Sequence, residues 1–150
     1  MTDLRITGYA SRFDERDLGG DVIRRGAFSA SLLSRPAPRP MLYVHDTTTP
    51  IGVWRRVVED ETGLRVEGIL QSGSELSDRI IALVSSGAVD GLSIGYRTDR
   101  ARPDAEGREL LEIDLFEISI VAFPMLPTAR IDAVEPTSLT PHRSAERIAA

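Results

Sequence analysis

A β-rich run at residues 109–123, closed by Pro124, constrains this chain more than any other stretch. Its apolar residues, Leu111, Ile113, Leu115, Phe116, Ile118, Ile120 and Val121, populate both faces of an extended strand, which marks that strand as buried. A buried strand needs neighbours, and the sequence supplies them. Residues 4–10, 41–45, 51–59, 64–70 and 92–98 read as strands, with a last one at 130–134. The polar, glycine-bearing stretch 60–63 suits a hairpin between two of these. Strands that follow one another in this way predict a mainly β fold with some α (α+β), a mostly antiparallel sheet or barrel rather than alternating βα units.

Helices are few. In residues 74–86 the apolar side chains Leu76, Ile80, Ile81, Leu83 and Val84 recur at helical spacing, Ser74 and Ser77 are cap candidates, and Gly87 is a natural stop. Residues 27–34 predict a shorter helix ended by Pro36, Pro38 and Pro40. Residues 14–21 and 99–107 read as polar loops, and 135–150, with Pro136 and Pro141, as a C-terminal tail. The expected organisation is one domain over residues 1–134 followed by that tail, since 150 residues are enough for a single core.

Composition narrows the chemistry. Without cysteine there are no disulfides and no thiolate metal sites. All 18 basic residues are arginine, which removes Schiff-base, Ser-Lys and phosphate-loop lysine chemistry. The net charge is −5 and the arginines are scattered, so a nucleic-acid ligand is not expected. No apolar stretch approaches a membrane span, and the opening MTDLRITGYA has neither the basic start nor the apolar run of a signal peptide; the expectation is a soluble chain not exported by that route.

Serine nucleophiles usually need a base, and there are only two histidines. His142 falls in the proline-bearing tail, whereas His45 ends an apolar strand. Of the thirteen serines most sit in turns, caps or the tail; Ser93 does not. In Gly91-Leu92-Ser93-Ile94-Gly95-Tyr96, alternation puts Ser93 on one face between two glycines. Such a bare strip admits close approach of another backbone, and a peptide substrate or tight packing within the fold accounts for it equally well. Glu117, carried inside the buried strand on the face of Ser119, Leu115 and Val121, needs a partner there: an imidazole that it orients, or one of the many arginines. The same run matches the G-x-S-x-G elbow of α/β-hydrolases, which would make a small esterase, but no helix follows it and the only later histidine is His142. His45-Asp46 lacks a second histidine at useful spacing, and Asp14, Glu15, Asp17 and Asp21 lack calcium-loop spacing, so no metal is expected.

Gly20-Asp21-Val22-Ile23 with Gly26-Ala27-Phe28, Tyr43-Val44-His45-Asp46 with Pro50-Ile51-Gly52, Gly63-Leu64-Arg65-Val66, Gly91-Leu92-Ser93-Ile94-Gly95-Tyr96, Asp114-Leu115-Phe116-Glu117-Ile118-Ser119-Ile120-Val121 and Pro124 together resemble, in order and spacing, the tailed-phage prohead protease family across residues 8–134. The resemblance implies a serine endopeptidase with a closed β-barrel like that of herpesvirus assemblin. It places the histidine on His45, the serine on Ser93 and the acidic third member on Glu117, and it implies no cofactor. The implied substrates are scaffolding segments, the N-terminal part of the major capsid protein and the enzyme itself, cut inside an immature capsid in the host bacterial cytoplasm. Prophage and gene transfer agent versions would read alike, and homo-oligomers are compatible with the resemblance. The family often has Asn before a proline in the loop after the last long strand; here that loop reads Phe123-Pro124-Met125-Leu126-Pro127, and no oxyanion donor is assigned. A catalytically silent barrel that binds capsid or scaffold protein is the reading from a different class.

Overall fold

The structure, a computed structural model, describes residues 1–137. In chain order its elements are β1 (Leu4–Arg12), β2 (Asp21–Ile23), α1 (Ser29–Ser34), β3 (Arg39–Tyr43), β4 (Gly52–Glu59), β5 (Gly63–Leu70), α2 (Glu75–Ser85), β6 (Gly91–Pro103), β7 (Arg108–Val121) and β8 (Ile131–Pro136). The β4–β5 hairpin forms where the turn chemistry predicts it. The Asp60 carboxylate accepts the N–H groups of Thr62 (2.8 Å) and Gly63 (3.1 Å), which closes the turn. At α2, Ser74 accepts the Ser77 N–H (3.0 Å) and Ser77 returns the bond to the Ser74 N–H (3.4 Å), a reciprocal cap; Gly87 follows the last turn at φ 81°.

The strand order is β2-β7-β3-β4-β5-β1-β8, with β6 on the other edge of β7. Two features correct the expected closed antiparallel barrel. First, the sheet is mixed, because β2 and β3 both run parallel to β7. Short connections predict antiparallel neighbours, but strands that meet across a long sequence separation leave no local signal of their direction. Second, the sheet does not close. The β1–β8 ladder ends at Gly8 and Ile131, β1 bulges at Ala10, and the segment leading into β8 meets the start of β6 through an isolated bridge between Gly91 and Arg130, not a ladder. Beyond Gly8, β1 stays paired with β5 through the bulge, which adds local twist, but it has no partner strand on its other edge, the edge that faces β6.

β7 organises the core. Its register with β6 shifts between Tyr96 and Gly95, leaving Phe116 as an extra residue, and again near Leu111. Each bulge resets the alternation, so Leu110, Ile113, Leu115, Ile118 and Ile120 all reach the buried side even though their spacing is not strictly two. Leu115 therefore does not share the face of Glu117, contrary to simple alternation. Trp54 packs fully buried against this strand and donates its indole N–H to the Ile118 carbonyl at 3.0 Å.

Several boundaries differ from the sequence reading. The strand expected at 41–45 is β3, Arg39–Tyr43, so His45 lies beyond its end. The loop expected at 14–21 ends in the short strand β2. β6 continues to Pro103, through residues expected to be a polar turn, because this end is a solvent-exposed ribbon where cross-strand pairs such as Arg102–Glu109 (3.0 Å) replace apolar packing. β8 pairs Glu135 with Arg5 and Pro136 with Leu4, so the last strand runs two residues past the expected 134; the rest of the expected tail, with His142, lies outside the described residues. Among the described residues no helix is long and apolar enough to cross a membrane, and no group of acidic residues and histidines is arranged to hold a metal ion.

Candidate active site

The two residues after β3 turn the chain away from the sheet with left-handed backbones, Val44 at φ 48° and His45 at φ 62°. Neither is glycine, and for β-branched Val44 this region is costly. Hydrogen bonds to β7 hold the turn in place. The Val44 N–H donates to the Ile120 carbonyl (3.0 Å), and the His45 N–H donates to Ser119 Oγ (3.0 Å). Asp46 then closes the following turn on the Thr48 N–H (2.9 Å) and hydroxyl (2.6 Å), bonds that hold its carboxyl below the usual range.

The bulge at Phe116 aims Glu117 away from the core and toward His45. Glu117 Oε1 bonds the Nδ1 of His45, and Glu117 Oε2 accepts the Ser119 hydroxyl at 2.7 Å. A carboxylate only accepts, so Nδ1 carries the proton and Nε2 is left as the acceptor. The Glu117 side chain is 14% exposed and that of His45 45%. The open choice between an imidazole and an arginine as partner of Glu117 thus falls to the imidazole. Asp114, by contrast, pairs with Arg35 and Arg97.

Ser93 lies directly across the ladder from Ser119 and Gly95 across from Glu117. The glycine strip is filled from within the fold. A Cβ on Gly95 would meet Glu117 Oε1 at 2.6 Å, and one on Gly91 would meet the Pro124 ring at 2.7 Å. Gly95 therefore makes room for the carboxylate that holds His45 rather than for a substrate backbone. Ser93 itself is 8% exposed. No hydrogen bond joins Ser93 to His45, but both line one cavity of about 230 Å³.

That cavity occupies the gap where the sheet fails to close. Ala10, Ser11 and Arg12, from the part of β1 that pairs with β5 but has no β8 partner on its other edge, face Leu92, Ser93, Ile94 and Tyr96 of β6, and Met125 and Leu126 lie at the side. Its far end is polar. The Tyr96 hydroxyl donates to Asp21 (3.2 Å), which also takes Arg108, and burial together with the neighbouring Asp21 and Asp17 pushes the phenol above its ordinary range. The strand that carries Ser93 runs on to Pro103 and is followed by another strand, so the strand-turn-helix elbow of an α/β-hydrolase is absent. The structure thus brings together His45 and Glu117 by direct contact and Ser93 by a shared cavity. It adds Ser119, which the sequence reading used only to mark a strand face; its signal was a hydroxyl embedded in the apolar run Ile118-Ser119-Ile120-Val121.

Comparison with solved structures shows the fold to be herpesvirus-protease-like. The KSHV protease, crystallised with a hexapeptide phosphonate inhibitor, superposes with a TM-score of 0.61 at 12% identity, over 98% of this chain and 75% of that one. The varicella-zoster virus protease gives 0.56 at 13% identity, over 96% and 68%. In sequence, the prohead protease of Enterobacteria phage HK97 is 36% identical over an alignment of 134 positions, which covers 85% of this chain and 59% of that protein. This chain thus spans less than two thirds of that relative's length. The family model described as Caudovirus prohead serine protease matches residues 1–143, and the chain belongs to that family.

Proposed function

We propose that this chain is a serine endopeptidase of capsid maturation, with Ser93 as nucleophile, His45 as general base and Glu117 as the group that orients the base. The observation that carries the reading is the seat of His45: its Nδ1 on Glu117, its ring on the cavity that also holds Ser93. Ser93 Oγ attacks a peptide carbonyl while neutral His45 takes the hydroxyl proton through Nε2. Glu117, already bonded to Nδ1–H, stabilises the imidazolium that forms. The imidazolium returns the proton to the leaving amine, and a water activated by the same nitrogen releases the acyl group. No step calls for a metal or cofactor.

Family membership and the HK97 prohead protease support substrates in the immature capsid: scaffolding segments, the N-terminal part of the major capsid protein, and the enzyme's own chain. The place of action is then the interior of that shell in the host bacterial cytoplasm. The test is co-expression with a major capsid protein from the same genome, reading the capsid protein's N-terminus by mass spectrometry. Shortening with the wild type and none with Ser93→Ala supports the reading. An intact capsid protein in both, with binding retained, would make the chain a silent binding component instead.

A further inference from the structure

Ser119 is 0% exposed in a strand that is otherwise isoleucine and valine at this point, a setting in which a hydroxyl is costly unless it is bonded. Both of its bonds go to the site. Its Oγ accepts the backbone N–H of His45 at 3.0 Å and donates to Glu117 Oε2 at 2.7 Å. Across the ladder its register partner is Ser93. One buried residue is therefore tied to the main chain of the base, to the carboxylate that holds the base's ring, and to the strand position of the nucleophile.

We infer that Ser119 is a positioning residue of the hydrolytic site, an inference that rests on the roles given above to Ser93, His45 and Glu117. The need for it follows from the turn. His45 stands on two consecutive left-handed residues, and its side chain is half exposed, so packing does little to fix it. A general base must be held to within about 0.5 Å of its working position. Glu117 fixes the ring but has freedom in its own side chain; Ser119 removes that freedom at Oε2 and anchors the His45 backbone with the same oxygen. Because Ser119 is fully buried it cannot touch substrate, so its effect belongs to kcat and not to KM.

The experiment compares full-length wild type, Ser119→Ala and the nearly isosteric Ser119→Cys. Three readouts are taken: the rate at which a peptidyl phosphonate labels Ser93, kcat and KM on a peptide spanning the capsid cut, and the ¹⁵N shifts of the His45 ring. With the fold retained by circular dichroism, Ser119→Ala lowers kcat and labelling about 100-fold, the scale of a displacement of about 1 Å, with KM unchanged. The ring shifts move from one tautomer to a mixture. Ser119→Cys falls between the two and supplies the reading if the alanine variant fails to fold. Wild-type kcat and wild-type ring shifts in a folded Ser119 variant would overturn the inference, as would a loss that disappears when rates are divided by the folded fraction. If the wild type itself neither labels nor cleaves, the catalytic reading fails; unchanged ring shifts in Ser119→Ala would separately show that Ser119 does not hold His45.

Discussion

Ser93 and His45 reach the same cavity by opposite routes. Ser93 lies in a regular strand, paired residue for residue with β7 and nearly buried. His45 stands on an exposed turn of unfavourable backbone, held by hydrogen bonds to Ser119 and Glu117 while its neighbour Val44 is held by Ile120, all three on β7. The proposed nucleophile is placed by local periodicity, the proposed base by contacts between distant parts of the chain. The common reference is β7, so errors in either placement are corrected against one rigid element.

The largest effects break the pair outright. Ser93→Ala is expected to lower peptide hydrolysis by about 10⁴-fold or more, as removal of a nucleophile does, with an unchanged melting curve. His45→Ala is expected to lose as much, while His142→Ala keeps the wild-type rate. Initial rates on a capsid-derived peptide check all three. A dependence on His142 instead of His45 would remove the turn from the mechanism and with it the contrast between the two routes.

The next two variants act on what joins the routes. Glu117→Gln keeps the shape but removes the charge and the tautomer control, and is expected to lower kcat by about 10² to 10⁴-fold with little loss of stability. Gly95→Ala tests the same contact from the side of β6. Its Cβ would come within 2.6 Å of Glu117 Oε1, so the carboxylate must swing off His45 while the strand stays paired. A fall in kcat of about tenfold to 100-fold with KM unchanged is expected. A rise in KM with kcat preserved would show that the glycine serves substrate binding after all.

These contacts also show how far the site was legible in the sequence. The β4–β5 hairpin and α2 were legible because turn and cap chemistry are local. Ser93 was singled out by a glycine strip and His45 by the scarcity of histidine, though neither signal gave the cavity that both residues line. The role of Glu117 stayed open because period-two alternation ignores the bulge at Phe116, the feature that turns Glu117 away from Leu115 and the core. Ser119 was hidden for a related reason: its bonds reach a residue 74 positions away, which no local pattern encodes. The parallel pairing of β2 and β3 with β7, and the failure of the sheet to close, are non-local in the same sense.

The smallest expected effect sharpens the comparison most, because it separates the strain of the turn from its hydrogen bonds. Val44 holds φ 48° with its residue half exposed, so little packing is lost if the side chain is removed. Relief of a left-handed, β-branched residue is worth roughly 1–2 kcal/mol, and the added freedom of glycine in the unfolded chain offsets about 0.5–1 kcal/mol of it. Val44→Gly is therefore expected to stabilise by about 1 kcal/mol, a rise of about 3 °C in Tm for a domain of this size, read by calorimetry. Its N–H still bonds Ile120, and His45 still bonds Ser119 and Glu117, so kcat is expected to fall by less than about tenfold, well short of the loss from a misplaced base. An unchanged or lower Tm would show that the turn stores no strain. A higher Tm with a fall of about 100-fold would show that the backbone of Val44, and not the β7 hydrogen bonds alone, keeps His45 in register with Ser93.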